Sequence, residues 1–210
     1  QLAFTYLQLH ENQKAIALFQ QLKTLNPHYQ SLYLYLAEAL QEEEQLEEAK
    51  AVIEEGIAEN PFQVELYQFA SENAYRLHDI AGAENWLLKA LELGEKTDES
   101  RLTLSNLYIT EERFEEVITI LNDLEETDHP YAEWNLAKAY NELENFAVAK
   151  VHYEQAAQEL SHEPEFLKEY ALFLREEGEL EKAKHLLHHY LEHEPGDVDM
   201  QSVLADMEER

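Results

Sequence analysis

A period of 34 residues constrains this chain more than any single motif. Ala3, Ala37, Ser71, Ser105, Ala137, Ala171 and Ala205 recur at steps of 34, 34, 34, 32, 34 and 34. A second small-residue series, Ala15, Ala49, Ala83, Val117, Ala149 and Ala183, follows the first by 12. Three places after the first series come Tyr6, Leu40, Tyr108, Tyr140 and Leu174, with Ala74 the exception in size. Four places after the second come Phe19, Ile53, Leu87, Leu121, Tyr153 and Leu187. Side chains three and four apart share a helix face, so each unit reads as a pair of helices. The small residues allow the pair to approach closely, and the large ones fill the gaps. One such unit cannot bury its own apolar face, whereas stacked neighbours can.

Proline marks the same frame independently. Pro27, Pro61, Pro130, Pro164 and Pro195 all fall between units, where one helix stops or the next begins, and none lies inside a proposed helix. With five Gly and five Pro in 210 residues there are too few turn formers for an all-β fold, and helix formers dominate. The fold class is all-α. A hydrophobic share of 45% argues for a folded chain despite its charge.

The pattern resembles the tetratricopeptide (TPR) family along the whole chain. The unit YAEWNLAKAYNELENFAVAKVHYEQAAQEL carries the family residues at Leu136, Ala137, Tyr140, Phe146, Ala149, Tyr153 and Ala156, and the next adds Gly178 and Pro195. The composition is similar to that of bacterial TPR-array proteins. The resemblance implies a right-handed superhelical solenoid of antiparallel helix pairs, a single domain over 1–210. Its repeats are 1–29, 30–63, 64–97, 98–129, 130–163 and 164–197, with a final helix at 198–210. The repeat at 98–129 is two residues short and has Val117 where its neighbours have Ala, so its second helix or the following turn is expected to pack differently. Gln1 already lies in a helical pattern, and the expectation is a piece of a longer chain.

Charge narrows the partners. The 45 acidic and 15 basic side chains leave a formal net charge of −30. Such a surface repels polyanions and anionic headgroups over about 8 Å in physiological salt, so neither nucleic acid nor a membrane is an expected partner. No apolar run approaches the roughly 20 residues that cross a bilayer. Without cysteine there is no thiol chemistry or Cys-based zinc site. No HExxH, Gly-rich phosphate loop or GxSxG motif is present. Ser71 and Ser105 sit where smallness alone explains them, and acidic pairs such as Glu47–Glu48 read as a solvated face. The chain is read as a non-enzyme without cofactors, and as cytoplasmic.

By the family's geometry, first-helix positions 2, 5, 6, 9, 12 and 13 of each repeat line the concave groove. Leu34, Tyr35, Phe69, Tyr75, Ile109 and Trp134 are large groups there that the repeat does not need for its own packing, and such a row marks a binding surface. The amides Asn106 and Asn135 can meet an extended peptide backbone, and Lys138, Lys168 and Arg175 give the C-terminal half some positive character. Glu38, Glu42, Glu65 and Glu72 make the first half acidic, so the expected ligand is a protein or peptide segment with a basic end. The family's carboxylate clamp is not expected: Asn106 and Asn135 match it, but its cationic positions hold Leu102, Glu165 and Glu169. The alternative is a self-association or intramolecular docking module without a separate ligand.

The stretch AKHLLHHYLEHEPG spaces His185, His189 and His193 four apart on one helix. In the repeat frame these are mostly outward positions. His185 and His189 form a weak candidate for a metal pair, but a functional site needs a further fixed ligand, and the stripe reads as surface.

Overall fold

The computed structural model describes residues 2–29, 31–94, 97–124 and 129–209. Among the described residues it contains thirteen α-helices and no strand. Two compact units divide the chain, Gln1–Glu111 and Glu112–Arg210. The first holds α1 (Leu2–Gln8), α2 (Asn12–Leu25), α3 (Leu32–Glu42), α4 (Leu46–Glu59), α5 (Val64–Arg76), α6 (Ile80–Glu92) and α7 (Thr97–Thr110). The second holds α8 (Phe114–Leu121), α9 (Pro130–Glu142), α10 (Phe146–Ala156), α11 (Pro164–Glu176), α12 (Leu180–His193) and α13 (Val198–Glu208). Within the first unit each helix packs on the next in chain order, and α3 also touches both α1 and α5. Each unit is thus an all-α stack of helix pairs, the packing of a solenoid. The boundary falls inside the irregular repeat, whose second helix α8 has 8 residues against 14 in α2, α4 and α12. The turn that follows it lies largely outside the described residues.

Apart from the two end members of the first, half-buried Ala3 and exposed Ala205, both small-residue series are core. Ala15, Ala37, Ala49, Val117, Ala137, Ala149, Ala171 and Ala183 have no exposed surface. Phe19, Ile53, Leu87, Leu121, Tyr153 and Leu187 are buried over them. Ala205, on the last helix, is exposed.

The turn within each repeat uses one device. The first helix of a repeat ends with a residue of positive φ: His10 (54°), Glu44 (58°), His78 (61°), Glu112 (56°), Glu144 (57°) and Gly178 (80°). In the second repeat Glu44 donates its N–H to Gln41 O (3.1 Å) and Gln45 donates to Leu40 O (2.9 Å). The pairs His78→Tyr75 with Asp79→Ala74, and Glu144→Asn141 with Asn145→Tyr140, repeat the pattern. This is the Schellman closure, which satisfies two orphan carbonyls at a helix end. The residue after the left-handed one also starts the next helix: Gln45 O accepts from Ala49 N (2.9 Å) and Asp79 O from Ala83 N (2.9 Å). Within each unit that rigid turn fixes the antiparallel pairing. Where α3 and α4 of the second repeat cross, Gly56 is needed, because a Cβ there would stand 2.6 Å from Tyr33 Cβ.

Candidate functional site

Helices α5, α6 and α7 enclose a groove of about 610 Å³ in the first unit. From α5 it takes Glu65, Gln68, Phe69, Glu72 and Tyr75, five of the six first-helix positions that the repeat frame assigns to a concave face. Helix α7 adds Glu99, Thr103, Asn106, Leu107 and Thr110, while Ala83 and Leu87 of α6 form part of the floor. Phe69, Leu87, Leu107 and Tyr75 supply an apolar surface, and Tyr75 remains 47% exposed. Glu65, Glu72 and Glu99 supply negative charge, and among the described lining residues there is no Lys, Arg or His. The hydroxyls of Thr103 and Thr110 donate to their own helix, at Glu99 O (3.0 Å) and Leu107 O (2.7 Å). Such a surface suits an apolar group that carries a cation. A second cavity of about 740 Å³ includes Leu34, Tyr35, Phe62 and, again, Glu65.

The C-terminal ends of α3 and α5 are joined by polar pairs. Gln41 donates to Asn73 Oδ1 (3.3 Å), Asn73 donates to Leu46 O (3.0 Å), and Arg76 reaches Gln41 O (2.8 Å) and Glu44 (2.9 Å). Burial, and then the neighbouring Glu42 carboxylate, raise the Glu38 carboxyl above the usual range.

The sequence-derived binding residues separate into three groups. Phe69, Tyr75 and Asn106 come together in the 610 Å³ groove, and Leu34 and Tyr35 line the adjoining cavity. Tyr35 also serves the core, its ring packed edge-on to Phe4 (4.1 Å) and stacked near Phe19 (6.1 Å). Ile109 is half-buried and lines neither cavity.

In the second unit the assigned residues are largely spent on packing. Trp134 donates its indole N–H to Glu169 Oε1 (3.0 Å), which also accepts from the Tyr153 hydroxyl (2.8 Å). Lys138 sits 4.0 Å above the Trp134 ring and 3.8 Å from Glu169. Burial holds the Lys138 ammonium below the usual lysine range, while Glu169 and Glu165 oppose that shift. Glu169 therefore ties α9, α10 and α11 together. Burial and this carboxylate also push the Tyr153 phenol above its ordinary range. Asn135, expected to present its amide to a ligand, is instead 3% exposed. It is one residue from Trp134 and rotates onto the core side of α9 beside Leu136.

The other two cations also have acidic partners. Lys168 donates to Asp197 Oδ2 (2.9 Å), and Arg175 stands 3.7 Å from Glu176. Asp197 begins α13: it accepts from the Met200 N–H (3.1 Å) and from Tyr190 (2.7 Å). The Lys168, Tyr190 and Met200 hydrogen bonds together bring its carboxyl down to about 2.

The histidine stripe acquires a neighbour the repeat frame did not reveal. His189 lies between His193 (5.2 Å between rings) and His162 (6.0 Å), the latter 27 positions earlier in a turn. His185 is exposed, and His188 is 3.4 Å from Glu208. Among the described residues, no three His, Cys, Asp or Glu side chains are gathered so as to hold a metal ion.

Comparison with known proteins agrees with the architecture. Residues 130–197 match the family model described as YpiA-like, C-terminal tetratricopeptide repeats, and residues 6–71 match a tetratricopeptide-repeat model. The TPR repeat-containing protein YpiA of Bacillus subtilis is 32% identical over 208 residues, covering 98% of this chain and 49% of that protein. The chain thus spans about half the length of the curated relative it matches. A structure from work on Pseudomonas aeruginosa pilF is similar over 98% of this chain and 95% of that one, at 16% identity and a TM-score of 0.79. YrrB, described as a TPR protein with an unusual peptide-binding site, aligns over 88% of this chain and 96% of its own, at 13% identity and a TM-score of 0.66. No helix among the described residues is long and apolar enough to cross a membrane. The chain belongs to the tetratricopeptide-repeat family, whose fold generally mediates protein–protein interaction.

Proposed function

We propose that this chain is a non-enzymatic, cytoplasmic interaction scaffold that binds a peptide or partner-protein segment in the groove of α5, α6 and α7. The observation that carries the reading is the lining itself: Phe69, Tyr75, Leu87 and Leu107 beside Glu65, Glu72 and Glu99, with no cation among the described lining residues. Apolar anchors supply affinity in such grooves, and charge selects the partner and its orientation. The ligand accordingly presents an apolar side chain next to a basic one. The peptide-binding site named for YrrB, a protein of similar fold, is in keeping with this. Phe69 and Tyr75 are the principal anchors, with Asn106, Leu34 and Tyr35 at the margins. Trp134, Lys138, Lys168 and Arg175, already engaged with acidic neighbours, contribute to the scaffold more than to recognition.

Affinity purification from a cell extract, followed by identification of the bound proteins, tests this. Wild type is compared with Phe69→Ala, with the surface change Glu72→Lys, and with Trp134→Ala. A partner retained by wild type and lost by both groove variants is the expected result. An identical set of proteins on wild type and on Glu72→Lys would overturn the assignment.

A further inference from the structure

Three imidazoles of the second unit have one another as neighbours and no polar partner. Elsewhere in the unit His152 is bonded to Glu133 (2.6 Å) and His188 stands 3.4 Å from Glu208. No hydrogen bond or ion pair among the described residues engages the side chains of His162, His189 and His193. His189 and His193 lie one turn apart on α12, with 5.2 Å between their rings. His162 comes from the turn that leads into α11, and its ring is 6.0 Å from that of His189. His189 is half-buried, next to the core residue Tyr190, while His162 and His193 are exposed. The α11–α12 pair is closed by its turn at Gly178, so the three rings stand at its other, open end.

We propose that His162, His189 and His193 bind one divalent transition-metal ion of the zinc class, which fastens the end of α12 to the start of α11. The repeat itself shows that the positions meet. Four repeats earlier, His162 and His193 correspond to His28 and Glu59, and His28 Nδ1 stands 3.0 Å from Glu59 Oε2. A side chain in the turn before a first helix thus reaches the last residue of the following second helix at the distance of a direct bond. In the present rotamers the three rings do not converge on one point. Ligand distances of about 2.0–2.1 Å around a tetrahedral ion place ring centres about 5 Å apart, which His189 and His193 already match at 5.2 Å. His162 has about 1 Å to close, and an exposed side chain does so by changing χ1 and χ2. Three neutral imidazoles select Zn²⁺, Cu²⁺ or Ni²⁺ over Mg²⁺ and Ca²⁺, which take oxygen ligands. The net charge of −30 raises the local concentration of any cation. His193 is the last residue of α12, so the ion also holds the chain where it turns toward α13.

Calorimetric titration of the chelator-stripped chain with Zn²⁺ alone, at neutral pH, tests this. One ion per chain is expected. Losing an outer-shell partner already weakens a metal site 10–100-fold, so His162→Ala, His189→Ala and His193→Ala should each weaken binding by at least about tenfold. His185→Ala removes the exposed imidazole one turn before His189 and should leave binding unchanged. Circular dichroism confirms that each variant keeps its helices. With Zn²⁺ at about 100 times its dissociation constant, hydrogen exchange in the last turn of α12 should slow by about 100-fold, since opening that turn breaks the site. Mg²⁺ should do neither. Absence of saturable Zn²⁺ binding, or exchange in α12 that Zn²⁺ does not slow, would overturn the proposal. Undiminished binding by His162→Ala would also overturn it, leaving an adventitious pair on α12 only, as would equal weakening by His185→Ala.

Discussion

Replacing Glu169 tests whether Trp134 belongs to the scaffold or to a binding surface. One oxygen, Oε1, receives the Trp134 indole N–H at 3.0 Å and the Tyr153 hydroxyl at 2.8 Å, and Lys138 stands 3.8 Å from Oε2. Hydrogen bonds to charged groups contribute about 1.5–3 kcal/mol each. Tyr153 is 1% exposed, so its orphaned hydroxyl cannot recruit bulk water, whereas half-buried Trp134 can. Glu169→Ala is therefore expected to cost about 2–4 kcal/mol, and Glu169→Gln, which keeps an acceptor oxygen, about half that. With a urea slope of about 1–3 kcal/mol per molar, the alanine variant moves the midpoint down by about 1–2 M. The chain has two tryptophans, Trp86 in the first unit and Trp134 in the second, so fluorescence in a Trp86→Phe background reports the second unit alone. A midpoint loss for Glu169→Ala worth less than about 0.5 kcal/mol, within the noise of surface substitutions, would show that the network does not hold Trp134. The indole would then return to the list of recognition groups.

Three further outcomes follow from the geometry. Glu144, exposed and held at φ 57°, should gain roughly 0.5–1 kcal/mol on replacement by Gly, because the left-handed strain on a residue with a Cβ exceeds the entropy cost of glycine. Glu144→Ala should leave the urea midpoint near wild type, and Gly178→Ala should lower it by a similar amount. Gly56→Ala should destabilise by about 1–2 kcal/mol in a calorimetric melt. The helix-propensity gain of about 1 kcal/mol is outweighed by a Cβ 2.6 Å from Tyr33 Cβ and 3.2 Å from Leu66 Cδ2, which forces α3 and α4 apart. Asp197, whose carboxyl lies at about 2 against an ordinary 3.8, binds fewer protons folded than unfolded in that interval. Its contribution is complete above about pH 4 and is lost as pH falls toward 2. Hydrogen exchange of α13 should accelerate over that interval in wild type, and Asp197→Asn should show the faster exchange already at neutral pH.

Much of the frame could be read from the chain. Small and large residues at a 34-residue period fix which faces of each helix are buried, because close-packed helices tolerate only certain volumes at the contact. The five groove positions on α5 follow from the same count. The turns were less legible. Among the described turns inside repeats only that at Gly178 is marked by a glycine, while Glu44, His78 and Glu144 adopt the same conformation with no glycine to mark it. The helices on either side impose that geometry through the Schellman hydrogen bonds, so local propensity is overridden. Asn135 was misread because a face assigned by counting has an angular width. One residue beside Trp134 falls on either side of the boundary between groove and core.

By itself the sequence determined the helical class, the repeat length and the small-residue contacts, all of which depend on spacing along a single chain. The tertiary structure decided which apolar and charged groups remain available. Phe69 and Trp134 look alike in the repeat frame, yet one lines an open groove while the other gives its N–H to a carboxylate 35 residues away. Whether a side chain is spent on its neighbours depends on where the next helix brings a partner, and that distance is set in space rather than along the chain.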